Sequence, residues 1–156
     1  MYSIKKIRLF NLSGILKVSD ILYKCGKDMA EKNDLHHWDN SHFKNLMIVI
    51  LCALKNDIYL VFDNEKAVAT FQTRKVSQSY LFQKLATSPE FSGAGIGTFC
   101  LNEIEKMGRE KNCSEIICEV YDKSEHAKAF YEHKGYVIYG TTETLKYKEL
   151  KLKKEL

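Results

Sequence analysis

The stretch Leu85-Ala86-Thr87-Ser88-Pro89-Glu90-Phe91-Ser92-Gly93-Ala94-Gly95-Ile96-Gly97 decides how the rest of the chain is read. It starts as the end of a strand, passes a proline turn, and runs through three alternating glycines into a helix. Beyond Gly97 the apolar residues Cys100, Leu101, Ile104 and Met107 recur at helical spacing, with Asn102, Glu103, Glu105, Lys106 and Arg109 opposite them. A glycine-rich loop that opens a helix presents unpaired backbone N–H groups at the positive end of the helix dipole, which suits a phosphate or pyrophosphate. A β-carbon on the loop would block the anion's approach to the backbone. A tight strand-to-helix connection without a ligand uses the same glycines, so the loop needs a second signal.

Outward from the loop, the N-terminal side predicts a strand at Ile4–Phe10 and a helix capped by Ser13 with the apolar face Ile15, Val18, Leu22, Cys25 and Met29. A loop follows over Asn33–Asn40. Ser41 caps a second helix, His42–Leu54, apolar nearly all round and therefore expected to be buried. A meander comes next, with strands at Asp57–Phe62, Ala67–Arg74 and Tyr80–Thr87. On the C-terminal side the pattern gives a strand at Ser114–Tyr121, a helix at Ser124–Lys134 closed by Gly135, and strands at Tyr136–Tyr139 and Leu145–Leu152. The fold class is α/β, or α+β: a mixed, mostly antiparallel sheet of about seven strands flanked by about four helices, in a single domain over residues 1–156.

Composition narrows the function. A chain of 156 residues suits one core, and its 45% hydrophobic and 28% charged content is that of an ordinary globular protein. The net charge of +4 comes with no arginine-rich stripe with interleaved aromatics, so nucleic acid is not the expected partner. The five cysteines, Cys25, Cys52, Cys100, Cys113 and Cys118, form no Cys-x-x-Cys pair, and four of them sit in apolar periodic segments. They read as small core residues in a reducing compartment. Met1–Phe10 has no long apolar region, and the apolar run Leu46–Leu54 is too short to span a bilayer. The ending Lys-Lys-Glu-Leu is like a retention tail but stands without a signal peptide. The expectation is a cytoplasmic protein that does not engage a membrane.

The second signal is Ser124-Glu125-His126-Ala127-Lys128-Ala129-Phe130-Tyr131-Glu132-His133-Lys134-Gly135-Tyr136. Together with Leu85–Gly97, in this order and with a helix and a strand between, it resembles the GNAT superfamily of acetyl-CoA-dependent N-acetyltransferases. The first segment is similar to that family's strand and (Gln/Arg)-x-x-Gly-x-(Gly/Ala) pyrophosphate loop. The second is similar to its (Asn)-x-x-Ala-x-x-(Phe/Leu)-Tyr-x-x-x-Gly-(Phe/Tyr) segment. The match covers the second half of the chain.

The resemblance implies acetyl-CoA as cosubstrate and direct transfer of its acetyl group to a primary amine. The segment Leu85, Ala86 and Thr87 would face the pantetheine arm, with backbone groups of Leu85 and Thr87 pairing to its amides. Ser92, Gly93, Ala94, Gly95, Ile96, Gly97 and Thr98 would form the pyrophosphate site through the backbone N–H groups from Gly93 to Thr98, and Ser124 would complete the cofactor set. Tyr131 would give a proton to the departing sulfur. A thiolate leaves more readily when a phenol of pKa about 10 stands beside it. The family also admits a homodimer through the final strands.

Two departures bear on function. Ser92 and Ala94 stand where the family's loop carries Gln or Arg and a basic residue, so side-chain help for the phosphates is missing; Lys123 and Lys128 are the nearby cations. Many relatives carry a carboxylate on the strand before the loop, whereas here that strand reads Tyr80-Leu81-Phe82-Gln83-Lys84-Leu85-Ala86, with no acid. Glu119, Asp39 and His37 are the candidate bases, and none is singled out by the sequence. The aromatic run Leu35-His36-His37-Trp38-Asp39 marks His37 and Trp38 as substrate-side residues, and Glu119 on the neighbouring strand joins them. His36, His37 and His42 lack the Cys or carboxylate that would complete a zinc spacing, so no metal is expected.

Three other classes compete. A dinucleotide-binding fold shares the strand, glycine turn and helix, with Glu119 as its acid. It fails because four residues from Pro89 to Ser92 separate strand from glycines, Thr98 replaces the third glycine, and too little chain follows for a second half. A P-loop NTPase needs Gly-Lys-Ser/Thr after the loop, which is absent. The last competitor is a non-catalytic acyl-CoA-binding sensor or scaffold of the same fold, motivated by the missing strand carboxylate and opposed by Tyr131.

Overall fold

The computed structural model describes residues 1–144 and 146–156. In chain order the elements are β1 (Tyr2–Ile7), α1 (Leu12–Asn33), α2 (His42–Ala53), β2 (Asp57–Asp63), β3 (Lys66–Val76), β4 (Ser79–Thr87), a 3-10 turn (Pro89–Phe91), α3 (Ile96–Glu110), β5 (Glu115–Tyr121), α4 (Glu125–His133), β6 (Val137–Glu143) and β7 (Lys148–Glu155). The strands form one sheet in the order β1-β2-β3-β4-β5-β7-β6. All neighbours are antiparallel except β4 and β5. Among the described residues, no helix is long and apolar enough to cross a membrane.

The sheet divides two cores. The run Ile58-Tyr59-Leu60-Val61 in β2 is buried on both faces, which is why it is apolar throughout rather than alternating. Ile58 and Leu60 pack with Ile15, Val18 and Leu22 of α1 and Val49 of α2. Tyr59 and Val61 face the other side, with Ile96, Cys100, Leu101 and Ile104 of α3 and Tyr131 of α4.

Several boundaries differ from those the sequence predicts, each for a local reason. Strand β1 ends at Ile7, paired with Ile58, instead of reaching Phe10. Asn11, not Ser13, caps α1: its side-chain oxygen accepts the Gly14 N–H at 2.9 Å. That helix runs to Asn33, and Asp34 closes it in the left-handed conformation at φ 54°. Ser41 does cap α2, accepting the Lys44 N–H. The expectation that α2 is buried is overturned, because only its Asn45 and Val49 are buried while Phe43, Met47 and Leu51 are exposed. The helix lies in an outer layer against α1, so one face meets the core and its apolar outer face meets none. Strand β6 extends to Glu143, and Tyr136 precedes it as a buried core residue. Strand β7 starts at Lys148, and Leu145, where the sequence would begin it, lies outside the described residues.

One irregularity positions the site. Strands β4 and β5 pair only along Ser79–Leu81 and Glu115–Ile117 and part beyond that. On the β3 side the register jumps from Gln72 opposite Gln83 to Thr70 opposite Ala86, a bulge that holds Lys84 at φ 51°. The sheet therefore opens between β4 and β5, with Leu85 and the glycine loop on one lip and Tyr121 and α4 on the other.

Candidate active site

The glycine loop is shaped by its own backbone. The 3-10 turn is held by the Phe91 N–H donating to Ser88 at 2.9 Å and the Ser92 N–H donating to Pro89 at 3.1 Å. The Ala94 N–H donates to Phe91 at 3.3 Å. The sequence reading that runs N–H donors continuously from Gly93 to Thr98 is corrected here: Ala94 is already used, as is Ser92 before it. The Gly93 and Gly95 groups and those of Ile96, Gly97 and Thr98 in the first turn of α3 have no backbone partner among the described residues. Gly95 is the N-cap residue and supplies no side-chain cap. Gly93 and Gly95 hold φ of 80° and 77°, and a β-carbon on either would meet nothing within 4 Å. The backbone there is open to a ligand, and the glycines are required by conformation. A diphosphate fits such a cradle.

Two cavities meet behind the loop. The larger, about 470 Å³, takes in Leu85, Ala86, Thr87, Ser92, Gly93, Gly95, Ile96, Gly97 and Thr98 together with Cys25 and Met29 of α1 and His126 and Phe130 of α4. The smaller, about 200 Å³, is lined by His37, Trp38, Lys84, Glu119, Tyr121, Ser124 and Glu149, among others. Met29, Trp38, Leu85, Ala127 and Tyr131 line both. The structure thus brings together every site residue expected from the sequence except Ala94, which lines neither cavity. Ser124 faces the smaller cavity and not the larger; it stands at the N-cap of α4 without making a side-chain cap bond. Thr87 also departs in detail, because its carbonyl accepts the Cys25 thiol at 3.0 Å. Burial pushes that thiol up to about 12, so it stays protonated as a donor.

Tyr131 is 8% exposed, packed edge-on against Phe130 and Tyr136 and tilted against Phe82. Burial first, and then the neighbouring Cys118 and Cys100, raise its phenol well above the ordinary value, so it is held as the neutral, proton-bearing form. The same desolvation raises the proton affinity of any thiolate released beside it.

His37 and Trp38 sit where α1 meets the sheet opening. Their backbone is seated directly on α1: a β-carbon at Gly26 would lie 2.8 Å from the Trp38 carbonyl carbon and closer still to its oxygen. Lys27 pairs with Asp39 at 2.7 Å, and His36 with Asp34 at 2.8 Å, so the ends of this loop are pinned. Those pairs remove Asp39 from the candidate bases, since it faces neither cavity and is committed to Lys27. His37 is different. Its ring stands 4.4 Å from that of Tyr121 and 5.8 Å from that of Trp38, and its buried Nδ1 has no hydrogen-bond partner. Burial, and then the Lys84 charge, hold it below the ordinary histidine value, so it is neutral and able to accept a proton. Glu119 is exposed and accepts the Thr142 hydroxyl at 3.1 Å.

Sequence reasoning missed Glu149, Lys84, Gly26 and His126. Glu149 reaches the site only through the β5–β7 register, which places it opposite Tyr121. Among the described residues no group of three or more His, Cys, Asp or Glu side chains is placed to hold a metal. Lys128 pairs with Glu125 at 4.0 Å and, like Lys123, lines neither cavity.

The model of the Acetyltransferase (GNAT) family matches residues 20–136. The chain belongs to the GNAT family. No curated protein matches it in sequence. Solved structures of this fold agree over nearly the whole GNAT chain. The PaiA N-acetyltransferase of Thermoplasma acidophilum, solved with coenzyme A, is 16% identical, covering 100% of this chain and 99% of its own at a TM-score of 0.76. The ribosomal-protein-S18-alanine N-acetyltransferase of Escherichia coli is 14% identical over 99% and 94%, at 0.75. The IAA acetyltransferase of Bacillus cereus is 11% identical over 100% of both, at 0.72. At these identities the likeness is one of fold.

Proposed function

We propose that this GNAT chain is an N-acetyltransferase that uses acetyl-CoA and acts on a primary amine by direct attack. The observation that carries the reading is that Tyr131 lines both cavities, the one over the glycine loop and the one beneath the His37–Trp38 loop. Acetyl-CoA, when bound, supplies the activated acyl carbon. The free N–H groups of Gly93, Gly95, Ile96, Gly97 and Thr98 hold its diphosphate, and the Leu85 backbone on the parted edge of β4 holds the amide-bearing arm. The smaller cavity orients the amine against that arm, which supplies much of the rate through proximity. As the new C–N bond forms and the C–S bond breaks, Tyr131 gives its proton to the sulfur. The neutral His37 ring, which lines the smaller cavity, would take the proton the nitrogen loses. The reading places the protein in the cytoplasm, with β6, whose Val137, Ile138 and Tyr139 are exposed at the sheet edge, as the homodimer surface.

Calorimetry with CoA and acetyl-CoA, followed by turnover with a panel of amines, tests the proposal. Wild type is expected to bind CoA and to consume acetyl-CoA with at least one amine. Tyr131→Phe should bind CoA as before with kcat lowered about a hundredfold or more. Absence of CoA uptake at millimolar ligand refutes the reading, and CoA binding with no turnover on any amine would make the chain an acyl-CoA sensor instead.

A further inference from the structure

The smaller cavity carries an arrangement of charge that a plain amine site does not need. Lys84, half-buried, faces it from β4, and Glu149, also half-buried, faces it from β7 with the exposed Glu119 beside it on β5. Tyr121 pairs with Glu149 across the two strands and Glu119 lies two residues before Tyr121, so both carboxylates stand on one face of the sheet as diagonal neighbours. Among the described residues no ion pair joins Lys84 to either glutamate, and none forms at Glu149. Lys151, directly opposite Glu119, lines neither cavity. The Lys84 ammonium stands 5.5 Å from the centre of the Trp38 ring. A charge of each sign therefore fronts the same small space without neutralising the other.

The backbone reinforces the point. Lys84 sits at φ 51° in the bulge of β4, a conformation that glycine adopts freely and a lysine does not. A bulge beside a site re-aims the side chain it carries, and here it turns Lys84 to the cavity where Gln83 and Leu85 flank it. The carboxylates feel each other, since burial and then Glu119 raise Glu149 from its ordinary value while Lys84 opposes the rise.

Resting on the acetyl-transfer reading above, we infer that the acceptor is a small zwitterion, an amino acid whose carboxylate is held by Lys84 and whose ammonium enters between Glu119 and Glu149. The aromatic walls of His37, Trp38 and Tyr121 cover the side chain. A simple alkylamine leaves Lys84 without a counter-charge. A polyamine brings a second cation toward it, which repels.

Paired ligands test this on the intact protein saturated with CoA. Calorimetry compares tyrosine with tyramine, phenylalanine with phenethylamine, and lysine with cadaverine, each pair differing only in the carboxylate. In at least one pair the amino acid is expected to bind at least tenfold more tightly than its amine. In Lys84→Met that ratio should fall at least tenfold, and in Lys84→Arg it should persist, with folding of both checked by thermal melting. If no pair shows the preference, or if Lys84→Met retains it, the assignment is overturned. If Lys84→Met fails to fold, the same loss of preference is expected in Lys84→Gln, and its retention there overturns the assignment. Binding of the amino acids without turnover would spare this inference and sink the transferase reading, and turnover of amines with no carboxylate preference would do the reverse.

Discussion

Gly26→Ala separates local helix energetics from the geometry of the proposed acceptor site. In an isolated helix the change would stabilise the protein by about 1 kcal/mol, because glycine is the poorer helix former. Here the new β-carbon would lie 2.8 Å from the Trp38 carbonyl carbon, where ordinary contact begins at 3.4 Å, and nearer still to the oxygen. Backbone cannot swing aside as a side chain does, so the 36–39 loop must withdraw by more than half an ångström. Lys27–Asp39 and His36–Asp34 hold that loop and resist the movement. Overpacking of this kind costs about 1–3 kcal/mol, so the net change in stability should be destabilising by up to about 2 kcal/mol instead of stabilising by 1. Trp38 and His37 move with the loop, and a shift of this size in a reactant-positioning wall lowers kcat/KM for the amine by about 10- to 100-fold. The diphosphate cradle is on a different element, so CoA affinity should change less than threefold. Urea midpoints, amine kinetics and CoA calorimetry on the one variant supply all three readings. A variant that gains about 1 kcal/mol and keeps its amine kinetics would show that the loop does not rest on α1 as described.

The state of His37 predicts a pH profile: kcat/KM should rise with pH through a value below 6.5 and then level, and His37→Gln should lose that limb. The groups that face the ring are Lys84 of β4, Tyr121 of β5, Tyr147 just before β7 and Glu149 in β7, so Lys84→Met should move the limb upward. Because the folded chain disfavours the charged ring, the contribution of His37 to stability is intact above 6.5 and lost as pH falls below it. At the other end of the sheet, Glu105 is 8% exposed and accepts from Lys154 at 2.9 Å and from the Tyr136 hydroxyl at 3.4 Å. Lys154→Met should cost about 1–3 kcal/mol in a denaturant titration, with part recovered in the double variant that also carries Glu105→Met. On α2, Phe43→Lys and Leu51→Lys should change stability by less than about 0.5 kcal/mol. Val49→Ala, at a position with no exposure, should cost about 1–3 kcal/mol.

What the sequence made legible follows from the range of the interactions involved. The loop and its helix are written in consecutive residues: the glycines need positive φ, and the helix shows its period within one turn of Gly97. Tyr131 is likewise legible within one consecutive segment, Ser124–Tyr136. Position 149 is not legible that way. Nothing in Lys148-Glu149-Leu150 distinguishes Glu149 from the other charges of β7; only pairing with β5 carries it to the cavity. The α2 error has the same origin, since an apolar sequence states that a helix can be buried but not that a second layer exists to bury it.

Lys84 shows how far local reading can be corrected by backbone geometry. In the sequence it is one more lysine in a strand, and its only message is the missing carboxylate. The bulge changes that message. A residue on a regular β4 would alternate faces with its neighbours, whereas a left-handed residue breaks the alternation, and the break occurs where β4 has left β5 and its edge is free. The irregularity thus lies beside the cleft proposed to admit the thioester arm, and it turns a cation into the cavity next to it. In the proposed mechanism a base on the strand is not required, because proton acceptance would pass to His37, whose ring that cation helps to keep uncharged. The lysine in place of the acid is therefore coherent with the proposed chemistry: it would shift proton acceptance from the strand to the loop and set the charge that the inferred acceptor must answer.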